Sequence, residues 1–318
     1  MWLARTRWAQ LPGEWALRWP EGLAVVGPVA GVADGVVRRP LRPGGALPPI
    51  GPVALDVDPY DPDPSAVGLS FRTVPVRTPL GACPAWLVPA SGSTWVVAVH
   101  GRGTDHRECL RVLPVLHRLG HPVLAISYRN DVVAPASPDG HYHLGDTEWQ
   151  DLAAAVDHAR GQGATSLVLY GWSMGAAIIG AYLDRGDAAD VRAVVWDSPL
   201  VDWRATLRKQ ASLRRLPPGF TPLTSAVTRL RIGIDFARFD LVHHPPAHRP
   251  PTLLFHGDAD TTVPIEPSRA LAAESERLGW PLRYVEVPGA EHTAPWNVDR
   301  AGYESAVAQF LTEHAPAR

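Results

Sequence analysis

The chain has 318 residues, of which 46% are hydrophobic, so it can bury a large core and is not a disordered chain. Its 30 basic and 32 acidic residues nearly cancel, which argues against the strongly basic surface of nucleic-acid-binding proteins. Two cysteines, Cys83 and Cys109, are too few for the disulfide framework of a small secreted protein, and no apolar run reaches the roughly 18 residues of a membrane span. We therefore expect a cytoplasmic protein with no membrane span and no nucleic-acid partner.

The first 66 residues differ in composition from the rest. Eight prolines fall between residues 40 and 64, a density typical of turns and extended edge segments. Exposed tryptophan is costly, so the tryptophans of this region indicate a segment that packs against a neighbouring domain (Trp2, Trp8, Trp15, Trp19). The sequence therefore predicts an N-terminal extension over residues 1–66 and a second domain over residues 67–318.

From about residue 70, short apolar runs alternate with segments of helical spacing. Two alternating runs joined by a turn predict a hairpin over 69–76 and 82–88. Nearly continuous apolar runs predict buried strands at 94–100 and 122–128, and further strands are predicted at 166–170, 191–196, 252–256 and 282–287. Helical spacing predicts helices at 105–119, 147–160, 173–183, 267–278 and 298–311. This alternation predicts an α/β fold, a mostly parallel sheet with helices on both faces, whose functional residues follow the carboxyl ends of the strands.

The sequence Gly171-Trp-Ser-Met-Gly175 falls between a predicted strand and a predicted helix. This G-x-S-x-G string matches a nucleophile elbow, in which flanking glycines let the backbone turn sharply from strand to helix. The turn would expose the Ser173 hydroxyl at the sheet edge and at a helix N-terminus, where free N–H groups favour developing negative charge. Ser173 is the candidate nucleophile; the alternative is a glycine-rich turn with a capping serine.

The loop after the strand at 94–99 carries the sequence His100-Gly-Arg-Gly-Thr-Asp. A serine nucleophile needs two N–H donors that hold the carbonyl oxygen as it becomes an oxyanion. One should come from the residue after the nucleophile, Met174, and the other from this loop. We expect the N–H of Arg102 to be the second donor, with that of Gly103 as the alternative. For His100 itself, a hydrogen-bonded loop position is favoured over a catalytic role.

Two carboxylates follow the strand predicted at 252–255, Asp258 and Asp260. A catalytic triad needs one buried acid that orients a histidine. Asp260 is the candidate acid, and Asp258 is the alternative. The simpler explanation of Asp258 is a turn residue whose side chain bonds its own backbone. Asp197, which ends another predicted strand, is a further alternative.

His292 lies in a glycine-containing loop after the last predicted strand, downstream of the candidate nucleophile and acid. It is the candidate general base. The chain order Ser173, Asp260, His292 is the order of α/β-hydrolases and differs from that of two other serine hydrolase lineages.

Together these motifs make the chain from about residue 70 onward resemble an α/β-hydrolase, in the branch of serine aminopeptidases, lysophospholipases and prolyl-oligopeptidase-like enzymes. The motifs are HGRG (100–103), SYRND (127–131), GWSMG (171–175), HGDADTTVP (256–264) and GAEH (289–292). In that family the second aspartate of HGxxDxxVP is the acid, which implies Asp260. The resemblance implies a serine hydrolase that needs no metal or organic cofactor. It leaves esterases, peptidases, thioesterases and acyltransferases open.

About 55 residues separate the strands predicted at 191–196 and 252–255, far more than a plain crossover needs. In the family this insertion, after the sixth strand of the sheet, is a helical lid, which implies a lid at about 199–248. It is rich in basic residues, which indicates either a solvated helix face or a surface that attracts anionic substrates or membranes (Arg204, Arg208, Lys209, Arg214, Arg215, Arg229, Arg231).

The expected reaction is two-step acyl transfer to a small-molecule acyl substrate. His292 would deprotonate Ser173, which would attack the carbonyl, and water would then release the acyl group. Ester hydrolysis by a carboxylesterase or a lysophospholipase-like enzyme is the first interpretation. A serine peptidase, aminopeptidase-like, is the alternative, and a non-catalytic hydrolase-fold binding protein is a third. The oligomeric state is left open.

Overall fold

In the computed structural model, the described residues are 1–43, 46–217, 231 and 233–317. Residues 1–58, here called the N-terminal module, form two small antiparallel sheets. The strands are β1 (Trp2–Ala4), β2 (Trp15–Trp19), β3 (Gly22–Val26), β4 (Gly31–Ala33), β5 (Val36–Arg38) and β6 (Ala54–Asp56). They are ordered β1-β5-β4 and β3-β2-β6. The turns and extended segments expected between residues 40 and 64 thus include one short strand, β6.

The tryptophans of the N-terminal module do not share one environment. Trp15 is buried in a small core with Leu11, Leu17 and Val26, which also contacts Ala294 of the C-terminal half. Trp2 and Trp8 are 60% and 50% exposed. Trp19 is partly buried against the same core, so two of the four tryptophans take part in the packing, and the sequence did not distinguish them.

An eight-stranded sheet forms the centre of the molecule. Its strands are β7 (Arg72–Thr78), β8 (Gly81–Val88), β9 (Thr94–Val99), β10 (Val123–Ile126), β11 (Ser166–Trp172), β12 (Val191–Asp197), β13 (Thr252–Gly257) and β14 (Leu282–Val287). The order is β14-β13-β12-β11-β9-β10-β8-β7. Strands β9 to β14 are parallel to one another, and β8 is antiparallel to both of its neighbours, β10 and β7. The predicted hairpin and the six predicted strands that follow it are confirmed, with bounds shifted by up to three residues, and the edge strand β14 is only partly buried.

Helices cover both faces of this sheet. They are α1 (Leu113–Arg118), α2 (Trp149–Gly161), α3 (Met174–Arg185), α4 (Trp203–Leu213), α5 (Glu266–Glu274), α6 (Pro295–Val298) and α7 (Arg300–His314). The single helix predicted over 105–119 is wrong. A 3-10 turn, His106–Arg111, precedes α1, because Pro114 has no N–H to continue a helix and instead sits in the first turn of a new one.

Alternation along the strands divides the core into two layers. In β9, Val97 and Val99 pack on the side of α2 and α3, whereas Val96 and Ala98 pack on the side of α1 and α7. Apolar residues are needed on both faces of a strand buried this way, which explains the nearly continuous apolar runs in the sequence. The arrangement is the one expected of an α/β-hydrolase.

The insertion between β12 and β13, the sixth and seventh strands of the sheet, begins with α4 and includes a 3-10 turn at Phe236–Phe239. Residues 218–230 and 232, in the middle of the expected lid, lie outside the described residues, and so does Arg229. In the part of the chain that is described, no helix has the length and apolar character to cross a membrane.

Candidate active site

Ser173 sits at a strained turn between β11 and α3. Its backbone angles, φ of 49° and ψ of −116°, lie in a region that residues other than glycine rarely adopt, at a cost of roughly 1–3 kcal/mol. Two glycines make the turn possible. A Cβ on Gly175 would lie 2.1 Å from the Val99 carbonyl oxygen, and one on Gly171 would lie 2.9 Å from the Ala176 nitrogen. The sharp turn expected of the G-x-S-x-G string is present.

Three side chains from three loops meet at this turn. His292 Nε2 lies 2.9 Å from Ser173 Oγ, and His292 Nδ1 lies 2.7 Å from Asp260 Oδ2. With the proton on Nδ1, the imidazole donates to Asp260 and can accept the Ser173 hydroxyl proton at Nε2. The structure therefore brings together the three residues singled out as nucleophile, acid and base.

Asp260 is buried at the carboxyl end of β13. Its Oδ1 accepts backbone N–H groups of Thr262 and Val263 at 2.7 and 2.8 Å, and His256 Nε2 lies 3.2 Å from Oδ2. Burial opposes ionisation, but the charges of His292 and His256 and the hydrogen bond from His292 outweigh it and hold the pKa of Asp260 well below its usual range. The group is therefore a carboxylate at neutral pH.

The pKa of His292 is shifted in the opposite direction to that of Asp260. Burial lowers its pKa, but the charge of Asp260 and the hydrogen bond to it are stronger together, so the pKa of His292 is raised above its ordinary value. The charge of Glu108 acts in the same direction. Glu108 is itself buried, and burial together with the Asp58 charge raises its pKa to about 7.

The alternative acids have other partners. Asp258 Oδ1 accepts the N–H of Gly289 at 2.6 Å, so it ties the loop after β13 to the loop that carries His292. Asp197 is fully buried, with Ser198 Oγ and Tyr303 Oη each 2.9 Å from its carboxylate. Its Oδ atoms contact neither ring nitrogen of His292 by hydrogen bond or ion pair in the described part of the chain.

The two residues expected to supply the oxyanion donors both lie next to Ser173. Met174 is the first residue of α3, where the backbone N–H has no partner within the helix. Arg102 lies in the loop after β9, and this loop packs against the nucleophile, since a Cβ on Gly101 would lie 3.1 Å from Ser173 Cβ. Gly103, the alternative donor, lines the same cleft.

The peptide unit that joins Gly101 to Arg102 is held by its carbonyl oxygen. His100 Nδ1 lies 2.8 Å and Tyr128 Oη 3.1 Å from that oxygen, and His100 Nε2 lies 2.9 Å from Asp131 Oδ2. Both ring nitrogens of His100 therefore face acceptors, which fits an imidazolium. Burial disfavours the charge, but the hydrogen bond and charge of Asp131 outweigh it and raise the pKa of His100. His100 is a hydrogen-bonded loop residue, as expected.

Two charged residues support the site through contacts that the sequence did not predict. Buried Glu291 accepts the Thr261 N–H at 2.7 Å and pairs with Arg7 of the N-terminal module at 2.5 Å. Lys209 of α4 donates to the carbonyl oxygens of Asp260 and Val263 at 2.5 and 3.1 Å, so this cation of the expected basic lid is bound to the acid loop. Isolated charged residues carry no periodic signal, and these contacts join segments distant in the chain.

A cleft of about 470 Å³ opens in front of Ser173 and His292. The loop after β9 supplies one wall, and Arg18, Asp56, Val57 and Asp58 of the N-terminal module supply the facing wall. In the described part of the chain, no group of three or more His, Cys, Asp or Glu side chains is arranged to hold a metal ion. The cleft is the space into which a substrate of Ser173 would fit.

Comparison with protein families gives two matches. Residues 138–317 match the model of the prolyl oligopeptidase family, which covers more than half of the chain. Residues 1–55 match the model of a domain of unknown function, DUF8805. The boundary between the matches leaves the β7–β10 part of the sheet outside both.

Similar proteins cover between 80% and 93% of the chain. The uncharacterized protein Rv2307c of Mycobacterium tuberculosis is 29% identical over 314 residues, which span 92% of this chain and 96% of that protein. The Pyrococcus furiosus esterase Pf2001 superposes with a TM-score of 0.64 at 19% identity, over 80% of this chain and 96% of the esterase. A Mycobacterium tuberculosis puromycin-hydrolyzing peptidase superposes with a TM-score of 0.61 at 17% identity, over 93% of this chain and 44% of the peptidase. These structures support the α/β-hydrolase fold.

Proposed function

Since the chain belongs to the prolyl oligopeptidase family and has the α/β-hydrolase fold, we propose that it is a serine hydrolase with Ser173, His292 and Asp260 as its catalytic triad. The observation that carries the proposal is the continuous chain of contacts from Ser173 Oγ through both ring nitrogens of His292 to Asp260 Oδ2, at 2.9 and 2.7 Å. This chain matches the geometry that a general base needs to accept the serine proton.

In the proposed reaction, His292 Nε2 takes the Ser173 proton as Oγ attacks the substrate carbonyl carbon. The resulting imidazolium is stabilised by the adjacent Asp260 carboxylate, and His292 then gives the proton to the departing alcohol or amine. A water molecule, deprotonated by His292 in the same way, releases the acyl group from Ser173. Asp260 stays ionised throughout, which agrees with its strongly lowered pKa.

The negative charge that develops on the carbonyl oxygen needs donors that are already in place. We assign this role to the N–H groups of Met174 and Arg102. The Arg102 N–H belongs to the peptide whose carbonyl is held by His100 and Tyr128, so its direction is set before substrate binds. Losing one such donor typically costs about 3–4 kcal/mol of transition-state stabilisation.

Esters are the proposed substrates, because esterases are among the structures that superpose on the chain. Ester hydrolysis is also the less demanding reaction, since an ester carbonyl is less stabilised by resonance than an amide carbonyl and is attacked more readily. Peptide or amide hydrolysis is the second candidate, favoured by the family match and by the superposition on the puromycin-hydrolyzing peptidase. We further propose that residues 199–248 act as a lid, supported by the contact of Lys209 in α4 with the acid loop.

The test compares hydrolysis of p-nitrophenyl acetate and acetyl p-nitroanilide by the wild type and by Ser173→Ala. We expect ester turnover by the wild type and a loss of about 10⁴-fold or more in kcat for Ser173→Ala. Faster turnover of the anilide than of the ester would favour the peptidase alternative. Equal rates for wild type and Ser173→Ala would contradict the nucleophile. Ester turnover absent in the folded wild type would instead favour a binding protein.

A further inference from the structure

The N-terminal module contributes a wall to the cleft in front of Ser173. Arg18 comes from β2, and Asp56, Val57 and Asp58 come from the end of β6 and the residues after it. The two strands β2 and β6 pair with each other, so the wall is part of a small sheet rather than a loose loop.

Strand alternation aims the charged side chains of this sheet at the cleft. The register pairs Leu17 with Leu55 and Ala16 with Asp56, so Arg18 and Asp56 lie on one face and the two leucines on the other. Leu17 and Leu55 pack with the module's own core. The apolar face therefore holds the module together, and the polar face is left for whatever enters the cleft.

The charges of the wall are fixed in place. Arg18 pairs with Asp56 and Asp61 and donates to the Asp58 carbonyl oxygen at 3.0 Å. Asp61 also pairs with Arg107 of the opposite wall at 3.0 Å, which joins the two walls. Asp58 is buried, with Arg111 Nε 3.3 Å from its Oδ1. A wall held by such a network does not rearrange to an apolar surface when a substrate binds.

The module is also fixed to the loop after His292. Asn297 Nδ2 donates to the carbonyl oxygens of Glu14 and Val57, each at 2.9 Å, and the Glu14 N–H donates to the Asn297 carbonyl oxygen at 2.9 Å. The wall therefore has a defined position relative to the candidate base.

Among the described residues that line the cleft, Val57 has the only wholly aliphatic side chain. A hydrocarbon chain placed here would cover fixed charges without offering them hydrogen bonds, which is unfavourable, whereas a polar group replaces the lost water contacts. The proposal that follows rests on the serine hydrolase function given above. We propose that the N-terminal module forms the selectivity wall of the active site and that the substrate group it accepts is hydrophilic, not a fatty chain.

The test uses ester pairs of equal size that differ by one ether oxygen. One pair varies the acyl part, p-nitrophenyl butyrate against p-nitrophenyl methoxyacetate. The other varies the alcohol part, butyl acetate against 2-methoxyethyl acetate, and its hydrolysis is measured by the release of acid. Because either part of the ester could occupy the cleft, both pairs are measured. Each substrate's own reactivity cancels when the kcat/KM ratio of a pair is compared between variants.

The variant Arg18→Met with Asp56→Leu makes the wall more apolar and removes both members of the Arg18–Asp56 ion pair, while Asp61 keeps its pair with Arg107. We expect the polar-to-apolar kcat/KM ratio to fall by about tenfold for at least one pair. The matched control, Arg42→Met with Glu14→Leu, removes another ion pair of the same module that does not line the cleft, and its ratios should equal those of the wild type. The single variant Asp56→Asn, a milder change, should shift the ratio in the same direction by about twofold.

Labelling of Ser173 by a fluorophosphonate in every variant separates the two proposals. Wild-type protein that is folded but neither labelled nor active would overturn the hydrolase function itself. Labelled, active protein that hydrolyses p-nitrophenyl decanoate faster than the acetate would overturn the hydrophilic selectivity. The same conclusion would follow if the wall variant and the control variant gave the same ratios.

Discussion

The parallel sheet and the N-terminal module meet at one cleft but are stabilised in different ways. Strands β9 to β13 are buried on both faces, and the three side chains of the proposed triad extend from loops at their carboxyl edge and at that of β14. The module has strands of three to five residues, a small core around Trp15 and Leu17, and a charged face at the cleft. The large core of the parallel sheet stabilises the strained backbone of Ser173 and the buried Asp260–His292 pair. The small core of the module is enough to position the charged wall of the cleft.

This comparison separates reaction from selection. Changes at the edge of the parallel sheet should alter the rate of the chemical step for every substrate. Changes in the module should alter which substrate is preferred. The following experiments test that division, beginning with the largest expected effect.

Replacing the proposed acid should nearly abolish activity. Asp260→Asn keeps the shape of the side chain but removes the charge that orients and stabilises His292, so we expect kcat to fall about 10⁴-fold. Asp258→Asn, a matched change in the same loop, keeps an acceptor for the Gly289 N–H and should change kcat less than about threefold. A larger loss from Asp258→Asn than from Asp260→Asn would reassign the acid.

Weakening the clamp on the Gly101–Arg102 peptide should reduce kcat by an intermediate amount. His100→Gln and Tyr128→Phe each remove a donor to the Gly101 carbonyl oxygen, so the Arg102 N–H is less well aimed, and we expect a loss of about 10–100-fold in kcat with KM nearly unchanged. The control is His121→Gln, another buried histidine, which contacts the Thr94 carbonyl oxygen at the opposite end of β9. Equal effects from His100→Gln and His121→Gln would indicate a purely structural role.

The pH dependence should follow the raised pKa of His292. Because only neutral imidazole can accept the Ser173 proton, kcat/KM should rise with pH, about tenfold per unit, to a midpoint above the ordinary histidine value of about 6.5. Glu108, with a pKa of about 7, titrates in the same range, so the profile is also measured for Glu108→Gln. A flat profile from pH 5 to 8 in both proteins would contradict His292 as the base.

The His292–Asp260 pair should make stability, unlike activity, decrease as pH rises through the pKa of His292. The raised pKa of His292 stabilises the folded state fully below the unfolded value of about 6.5, and this contribution is lost as pH rises through the folded pKa. The lowered pKa of Asp260 stabilises it above about 3.9, and that contribution is lost as pH falls. Urea midpoints of wild type and Asp260→Asn should therefore differ less at pH 9 than at pH 5.5. An equal difference at both pH values would contradict the coupling.

The smallest effect is expected where the module touches the base loop through an exposed group. Arg7→Gln breaks the pair with Glu291, but Arg7 is 55% exposed, so the loss of unfolding free energy should stay below about 1 kcal/mol, as chemical denaturation would measure it. Glu291 keeps the Thr261 N–H, so kcat should change less than about twofold. A tenfold loss of kcat would show that the module acts on the reaction itself and not only on substrate choice.

The two regions also differ in how far the sequence could describe them. Strands buried on both faces have continuous apolar runs such as Thr94–Val99, so the sheet could be predicted from the sequence. The elbow could be predicted because its tight turn needs glycines at positions 171 and 175. The strands of the module are too short to carry a period, and their pairing joins distant segments, as β2 joins β6. The wall residues Arg18 and Asp58 were missed because a charged residue becomes part of a cleft only through such pairing.

Labelling with a fluorophosphonate, mapped by mass spectrometry, tests the central claim most directly. The reagent reacts with a serine only when its hydroxyl is activated and oxyanion donors stand beside it. We expect a single adduct on Ser173 in the wild type, no adduct in Ser173→Ala, and much slower labelling of His292→Ala. An adduct on another residue, or no adduct in folded wild-type protein, would contradict the assignment of Ser173 as the nucleophile.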